Sequence, residues 1–249
     1  ALSIEYGFAI IEDASHAIGG KYQNSPIGNC QYSDITVFSF HPVKIVTTGE
    51  GGAVTTNDEA IAKKIELYRT HGITRDEKLM TKSGQGGWYY EQIALGLNYR
   101  MTDIQAALGV SQMSRLSDFI LKRNKLAKRY DTLLKKLPLV IPHQMEDSLS
   151  SRHLYVIRLK LEKISLSHKE VFKKLRENGI GVNLHYIPVH LHPFYRDLGF
   201  TEGQFPISES YYSDAISIPI FSSMTINQQD EVIDIPVSYT HLRAHETDR

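Results

Sequence analysis

Short apolar runs alternate with segments of helical spacing along the first half of the chain, and this alternation restricts the possible folds most strongly. Each run is four to six residues long, which suits a buried strand better than a helix. The runs are residues 8–11, 35–40 and 53–56. Asn57 follows the third run and is placed to cap a helix that reaches about residue 70. Alternating strands and helices are typical of a layered α/β domain, so the sequence predicts that class.

Later helices are marked by pairs of residues three positions apart, in which a hydroxyl side chain precedes a Glu or Gln. This spacing is that of the capping box, which satisfies the first free backbone amides of a helix. The pairs are Thr102 with Gln105, Ser167 with Glu170, and Thr225 with Gln228. Apolar residues continue at helical spacing from 116 to 137 and predict a long helix with one buried face.

The stretch "LPLVIP" breaks this long helix, and we therefore predict a domain boundary between residues 137 and 138. Residues 155–161 alternate between apolar and charged, which predicts a strand with one solvated face. "GVNLHY" predicts a further strand. Residues 138–235 are thus expected to form a small α+β domain. The helical pattern is interrupted at Pro236, and we expect residues 236–249, which resemble translated sequencing adapter, to be a non-native tail.

The composition excludes several classes of function. Lys plus Arg and Asp plus Glu both number 28, so there is no basic excess to favour nucleic acid. No uninterrupted apolar run approaches the length of about 18 residues that a membrane span needs. Cys30 is the only cysteine, which excludes an internal disulfide framework and a cysteine-rich metal site. A single cysteine also fits a reducing compartment, and we expect a cytoplasmic protein.

Candidate site residues lie at the ends of the predicted strands. Asp13 ends the first strand, where α/β folds place ligand sites, and His16 follows three residues later, on the same turn. Ser39 lies near the end of the second strand, and Lys44 follows that strand, before a Gly-rich turn whose amides could cradle a phosphate. A lysine, phosphate donors and a remote carboxylate together suit pyridoxal phosphate. From spacing alone, a generic phosphate-binding loop is an equal alternative, and Asp13 by itself could be a helix cap or a surface acid.

Four motifs decide between these alternatives. They are "EDASHA", "SFHPVK", "TTGEGG" and "GLNYRMTDIQAALG". Together they closely resemble the sugar aminotransferases of the DegT/DnrJ/EryC1/StrS family, and the resemblance runs from about residue 4 to residue 235. It implies the α/β fold of the fold-type-I pyridoxal-phosphate-dependent transferases, with an αβα large domain and a small α+β C-terminal domain. It also implies that residues 1–137 are the C-terminal part of the large domain and its connecting helix.

The same resemblance assigns roles to individual residues. It implies that Lys44 is the catalytic lysine that bonds covalently to pyridoxal 5'-phosphate, and that Asp13 pairs with the pyridine nitrogen. His16 is expected beside the ring or its phenolate oxygen, and Ser39 at the phosphate. Asn98 matches a residue that family members contribute to the phosphate site of the neighbouring subunit. A homodimer with shared active sites is therefore expected.

Within the family, two segments indicate a substrate class. "GWYYEQIALGLNYRM" and "VNLHYIPVHLHPFYRDLGF" are most similar to members that aminate C4 of a UDP-linked 4-keto-6-deoxy-N-acetylhexosamine in pseudaminic-acid biosynthesis, with glutamate as the usual donor. The residues matching the segment that contacts the nucleotide-sugar are His185, Tyr186, Ile187 and Tyr195. Other nucleotide-sugar aminotransferases of the family are the alternative.

Three histidines close together, His185, His190 and His192, also suggest zinc. Zinc sites need a further ligand and partners that orient each ring, and the flanking prolines indicate an irregular loop instead. We therefore predict no metal site, and expect substrate contact or loop packing.

Two other functions compete with aminotransfer. Dehydratases and isomerases of the family characteristically carry histidine where this chain has Lys44, which argues against them. A non-catalytic scaffold that kept the fold is opposed by the joint presence of Asp13, Ser39, Lys44 and Asn98. Family members also have a substantial segment before the "EDASHA" strand, so we expect this chain to be N-terminally truncated and inactive alone.

Overall fold

The computed structural model describes residues 1–82 and 84–240, without the side chains of 235–240. Its strands are β1 (Ile11–Asp13), β2 (Lys21–Tyr22), β3 (Ser25–Pro26), β4 (Ile35–Ser39), β5 (Gly52–Thr55), β6 (Ile73–Thr74), β7 (Glu91–Gln92), β8 (Leu139–Val140), β9 (Ser148–Leu149), β10 (Tyr155–Leu159) and β11 (Ala215–Ile218). Its α-helices are α1 (Leu2–Tyr6), α2 (Glu59–Tyr68), α3 (Asp103–Met113), α4 (Leu116–Leu134), α5 (His168–Glu177), α6 (Pro193–Asp197), α7 (Pro206–Asp214) and α8 (Ile226–Thr240). Two 3₁₀ helices cover Leu161–Lys163 and Val189–Leu191.

The chain divides into two compact units. Unit 1 comprises Ala1–Ser117 and Asp147–Leu149, and unit 2 comprises the rest. The units therefore divide near the start of α4, whereas the sequence predicts a boundary after it, between residues 137 and 138. The assignment of residues 1–137 and 138–235 to two functional domains stays a prediction.

Unit 1 is built on a three-stranded sheet in the order β1-β4-β5. β1 and β4 are parallel, with Ile11 opposite Ile35 and Asp13 opposite Val37. β5 is antiparallel to β4 and pairs Gly52 with Ser39. A second small sheet has the order β3-β2-β9, and β6 pairs with β7. Parallel strands bring their carboxyl ends to one edge, and this edge carries the candidate site.

Unit 2 has a larger core than unit 1. One face of α4 packs there with α5, α8 and the antiparallel sheet β11-β10-β8. The bulkiest fully buried members of this core are Tyr130, Leu134, Tyr155, Ile157, Leu175 and Ile216. The expectation that the apolar stripe of residues 116–137 packs into a core is thus confirmed for α4, which buries Ile120, Leu126 and Ala127 as well.

The capping boxes at Thr102 and Ser167 are confirmed. In each, the side-chain hydroxyl accepts a hydrogen bond from the backbone amide of the N3 residue, and the N3 side chain accepts one from the backbone amide of the capping residue. Thr225 and Gln228 make the same pair of contacts before α8.

Five local predictions differ from the structure. The first strand begins at Ile11 rather than at residue 8, although Asp13 ends it as predicted. Asp58, not Asn57, caps α2, because its carboxylate accepts from the Ala60 and Ile61 amides. The long helix predicted over residues 116–137 is α4, which ends at Leu134.

The other two differences lie in unit 2. "GVNLHY" forms no regular strand and makes a single isolated antiparallel bridge, Asn183 with Ser217. α8 continues through Pro236 to Thr240, so the expected interruption there is wrong. Residues 241–249 of the expected tail lie outside the described residues.

Candidate cofactor site and substrate loop

Asp13 and Ser39 end adjacent parallel strands. Asp13 is the last residue of β1 and lies opposite Val37, two residues before the end of β4 at Ser39. The register therefore brings the carboxylate and the hydroxyl to the same edge of the sheet.

The Asp13 carboxylate is held in its ionised form by the residues that follow it. Its Oδ1 accepts hydrogen bonds from the Ser15 hydroxyl at 2.5 Å and from the Ser15 amide at 3.0 Å. These two bonds, in that order, lower the pKa of Asp13 below its usual value, and the nearby His16 and Lys44 lower it further against the opposing effect of burial. Asp13 is thus an anion at neutral pH, suited to hold a protonated ring nitrogen.

Lys44 lies in the turn that leaves β4. Its backbone amide donates to the His41 carbonyl at 2.9 Å, and its side chain is half-buried. Burial lowers the pKa of the Lys44 amine, while the charge of Asp13 acts in the opposite direction. Because only the neutral amine attacks a carbonyl, partial burial favours the reactive form.

Hydroxyl groups hold the Gly-rich turn in shape. Thr47 Oγ1 donates to the Phe40 carbonyl at 3.1 Å and accepts from the Gly49 amide at 3.0 Å. Thr48 Oγ1 donates to the Glu50 carbonyl at 2.7 Å. Gly49 has a φ of 82°, a left-handed conformation that favours glycine. The turn between β4 and β5 is therefore fixed by its own side chains.

Helix α3 is attached to this turn. Gln105 Nε2 donates to the Glu50 carbonyl at 3.0 Å. A Cβ added at Gly109 would lie 2.9 Å from Thr48 Cγ2, so glycine permits a close approach of α3 to the turn. The capping box predicted Gln105 as a helix-start residue, but its contact with Glu50 is a long-range feature that spacing does not reveal.

The remaining predicted cofactor residues are arranged as follows. Ser39 Oγ accepts from the His41 amide at 3.4 Å, and since acceptance uses a lone pair, the hydroxyl can still donate to a phosphate. His16 lies near enough to Asp13 to affect its pKa. Asn98 is exposed, forms a bridge with Thr70, and accepts through Oδ1 from the Arg100 guanidinium at 3.3 Å. The structure thus brings Asp13, His16 and Lys44 together, and the roles of all five residues stay predictions.

The predicted substrate residues lie on the segment 183–195 of unit 2, in which His185, Tyr186 and Ile187 precede the 3₁₀ helix Val189–Leu191 and Tyr195 belongs to α6. His185 Nδ1 lies 2.7 Å from Ser217 Oγ, which fixes the orientation of its ring. The side chains of Tyr186, Ile187 and Tyr195 are exposed to solvent. They are available to a ligand, and their role also stays a prediction.

The zinc alternative can be examined from the same segment. His190 is buried, and its Nε2 lies 2.7 Å from Glu209 Oε1. Among the described residues, no group of three or more His, Cys, Asp or Glu side chains is placed to hold a metal ion. Glu209 lies 19 positions from His190, and no signal in the sequence pairs the two.

Within the described part of the chain, no helix is both long and apolar enough to cross a membrane.

Comparison with known proteins identifies relatives of this chain. The profile of the DegT/DnrJ/EryC1/StrS aminotransferase family matches residues 1–235. A Methanocaldococcus jannaschii protein, Uncharacterized protein MJ1066, is 40% identical over 93% of this chain. The Bacillus subtilis spore coat polysaccharide biosynthesis protein SpsC is 37% identical over 94%. A Campylobacter jejuni UDP-4-amino-4,6-dideoxy-N-acetyl-beta-L-altrosamine transaminase is 36% identical over 94%. The chain spans 59%, 60% and 59% of the lengths of these three relatives.

Solved structures give the same result. Helicobacter pylori PseC, an aminotransferase involved in the biosynthesis of pseudoaminic acid, matches with a TM-score of 0.86 and 30% identity over 96% of this chain and 61% of its own. Spr1654 from Streptococcus pneumoniae, solved in its PLP form, matches with a TM-score of 0.83 and 29% identity over 96% of this chain and 60% of its own.

The mixed α/β fold predicted from the sequence is confirmed by these structures. Pyridoxal phosphate, the predicted cofactor, is the cofactor on which this family depends. On the match of residues 1–235, the chain belongs to the DegT/DnrJ/EryC1/StrS aminotransferase family.

Proposed function

We propose that the complete gene product is a pyridoxal-phosphate-dependent aminotransferase. In this proposal it transfers an amino group from glutamate to C4 of a UDP-linked 4-keto-6-deoxy-N-acetylhexosamine, the reaction of pseudaminic-acid biosynthesis. The observation that carries the proposal is the half-buried Lys44 near the ionised Asp13 at the carboxyl ends of two parallel strands. The named transaminase and PseC relatives support the choice of sugar.

The residues present suit the cofactor. Asp13, anionic through its bonds to Ser15, would keep the pyridine nitrogen protonated, and His16 would lie beside the ring. Ser39 would donate its hydroxyl to the phosphate. The chemistry that pyridoxal phosphate supplies when bound is an electron sink next to the transferred amino group.

Lys44 would have two tasks in the proposed reaction. Its Nζ would first hold the cofactor covalently, and after release it would act as a general base on the α-proton of glutamate. The same nitrogen would return a proton to C4 of the sugar in the second half-reaction. The lowered pKa of Lys44 suits a group that must take up and give back a proton.

Two partners complete the proposal. Asn98 would contribute to the phosphate site of a second copy, so the enzyme would be a homodimer with shared active sites. His185, Tyr186, Ile187 and Tyr195 would contact the nucleotide-sugar. The single cysteine fits a reducing compartment, and we propose a cytoplasmic location.

The experiment compares Lys44→Ala with Lys64→Ala, an exposed lysine on α2, in the complete gene product. Lys44→Ala should lower turnover by a factor on the order of a thousand or more and abolish borohydride-trapped cofactor. Lys64→Ala should leave both unchanged. Near-normal turnover of Lys44→Ala would refute the assignment of this lysine.

The same protein distinguishes the alternatives. Incubation with glutamate alone should convert the bound cofactor to its amino form, whereas a scaffold would show no conversion. Comparison of several UDP-4-keto sugars then identifies the substrate. A preference for a sugar outside the 6-deoxy-N-acetylhexosamines would favour another aminotransferase of the family, for which the similarity to SpsC offers a precedent.

A further inference from the structure

A hydrogen-bonded histidine–glutamate pair lies in the middle of the predicted substrate segment. His190 is 7% exposed, and its Nε2 lies 2.7 Å from Glu209 Oε1 on α7. Its ring also packs against Phe205, with 4.7 Å between the ring centroids. Within residues 183–195, only Pro188 and His190 are buried. These two residues therefore anchor the segment in unit 2, together with His185, whose Nδ1 lies 2.7 Å from Ser217 Oγ.

Glu209 connects three pieces of the chain. Besides His190, its carboxylate accepts from the Gly203 amide at 2.9 Å through both oxygens and from the Phe205 amide at 3.3 Å. It therefore joins the 3₁₀ helix Val189–Leu191, the turn at 203–205 and α7. Charge-assisted bonds to one carboxylate are stronger than neutral ones, so this junction is more rigid than an ordinary loop contact.

The predicted sugar contacts flank this anchor. Tyr186 and Ile187 precede Pro188, and Tyr195 follows His190 by five residues. The three side chains are 60%, 44% and 37% exposed, so their own packing holds them only in part. Their positions relative to one another depend on the backbone between them, and His190 fixes that backbone to Glu209.

We propose that His190 and Glu209 form a positioning pair for the nucleotide-sugar. The pair acts through the backbone of residues 186–195 and does not itself touch the reacting atoms. This inference rests on the proposed function, since it assigns the binding of the sugar to this segment. A site that is pre-organised in this way binds its ligand without the entropic cost of ordering the loop.

The test measures the two half-reactions separately in the complete gene product. Glu209→Ala should raise KM for the UDP-4-keto-6-deoxy-N-acetylhexosamine on the order of tenfold, as expected for loss of a charge-assisted hydrogen bond. Glu209→Gln keeps an oxygen that can accept from His190 and should recover most of this loss. Conversion of the cofactor by glutamate alone should proceed at the unaltered rate in both variants.

A matched control lies beside the pair. Glu202→Gln changes an exposed residue next to Gly203 and should leave KM for the sugar unchanged. His190→Asn should resemble Glu209→Ala, which provides a second measurement if Glu209→Ala fails to fold.

The outcomes separate this inference from the proposed function. No conversion by glutamate in the unaltered protein would refute the proposed function. Conversion with a sugar KM that stays within about twofold in Glu209→Ala and His190→Asn would overturn the positioning role alone. Equal impairment of the glutamate and the sugar half-reactions in these variants would also overturn the positioning role, because it would indicate that the pair has a general structural role.

Discussion

Ser15 controls the ionisation of Asp13 more than any other neighbour. Its hydroxyl and amide both donate to the same carboxylate oxygen, and both lower the pKa of Asp13. A depressed pKa in the folded state stabilises the fold above the unfolded pKa, and this contribution disappears as the pH falls through the folded value. Spacing in the sequence identified Asp13 and His16 but did not identify Ser15. The local signal was present, because an Asp side chain commonly accepts a hydrogen bond from the backbone two residues further on.

We predict that Ser15→Ala raises the pKa of Asp13, since the hydroxyl bond that lowers it most is removed. The acid limb of the activity profile should move to higher pH, because Asp13 then loses its charge at a higher pH. Carboxyl NMR titration checks the pKa directly. Ser15→Thr keeps a hydroxyl and should restore the original value, and an unaltered pKa in Ser15→Ala would contradict the prediction.

Arg123 is a buried cation that serves the backbone of unit 2. Its Nη1 donates to the carbonyls of Ile220 at 2.9 Å, Arg152 at 3.1 Å and His153 at 3.4 Å. Burial lowers the pKa of its guanidinium, so its position is costly unless these bonds are made. Helical periodicity missed Arg123, because a charged residue on the buried face of α4 breaks the apolar pattern.

Arg123→Met should lower the free energy of unfolding by about 3 kcal/mol, because buried carbonyls lose their donor. Lys125→Met, at an exposed position of the same helix, should change it by less than about 0.5 kcal/mol. Urea denaturation followed by far-UV circular dichroism measures both. Equal effects for the two variants would contradict a special role for the buried guanidinium.

Helix α3 connects its N-terminal capping box to the Gly-rich turn between β4 and β5. Gln105 accepts from the Thr102 amide and hydroxyl through Oε1, and donates to the Glu50 carbonyl through Nε2. One side chain therefore both caps the helix and tethers the Gly-rich turn. The two roles use different atoms, so substitution can separate them.

We expect Gln105→Glu to keep the capping box, because a carboxylate accepts the same bonds, and to lose the tether, because it has no amide donor. Affinity for pyridoxal phosphate should fall severalfold while the helix content stays constant. Thr102→Ala should show the reverse, with a stability loss of about 1 kcal/mol and nearly normal cofactor affinity. Spectroscopic titration and circular dichroism measure the two properties. Unchanged affinity in Gln105→Glu would show that the tether is dispensable.

Structural features that depend on residues close together in the sequence could be predicted. Features that depend on a contact with a residue far away in the sequence could not. The capping boxes at Thr102 and Ser167 involve residues three positions apart, so the sequence contains the whole interaction. "GVNLHY" has the composition of a strand, but only Asn183 finds a partner, Ser217, and composition cannot reveal that. Glu209 is likewise recognisable only after folding places it beside His190.

At the scale of the whole molecule, the site was predicted by resemblance rather than by spacing. Spacing alone left Lys44 equally compatible with a generic phosphate loop. The parallel register of β1 and β4, which brings Asp13 and Ser39 to one edge, is a tertiary feature that the family motifs encode only indirectly.

The two units differ in how much apolar surface they bury. The core of unit 2 includes Tyr130, Tyr155 and Leu175, each at most 1% exposed. In unit 1, α2 and α3 contain no buried residue, and Ile104 and Val110 of α3 are 84% and 72% exposed. Helices gain most of their stability from packing an apolar face, so the helices of unit 1 are expected to open more readily in this chain.

Hydrogen exchange of the 249-residue chain should therefore show the slowest amides in β10, β11 and α5, and much faster exchange in α2 and α3. Adding pyridoxal phosphate tests whether the same chain holds the cofactor, since a ligand that binds the native state slows opening around its site. Protection of residues 39–52 by the cofactor would indicate that the turn between β4 and β5 binds it in this chain. Amide hydrogen exchange in α3 as slow as in β10 would show that the exposed face of α3 is covered in solution. Mass spectrometry of the intact complex would then test whether a second copy of the chain covers it.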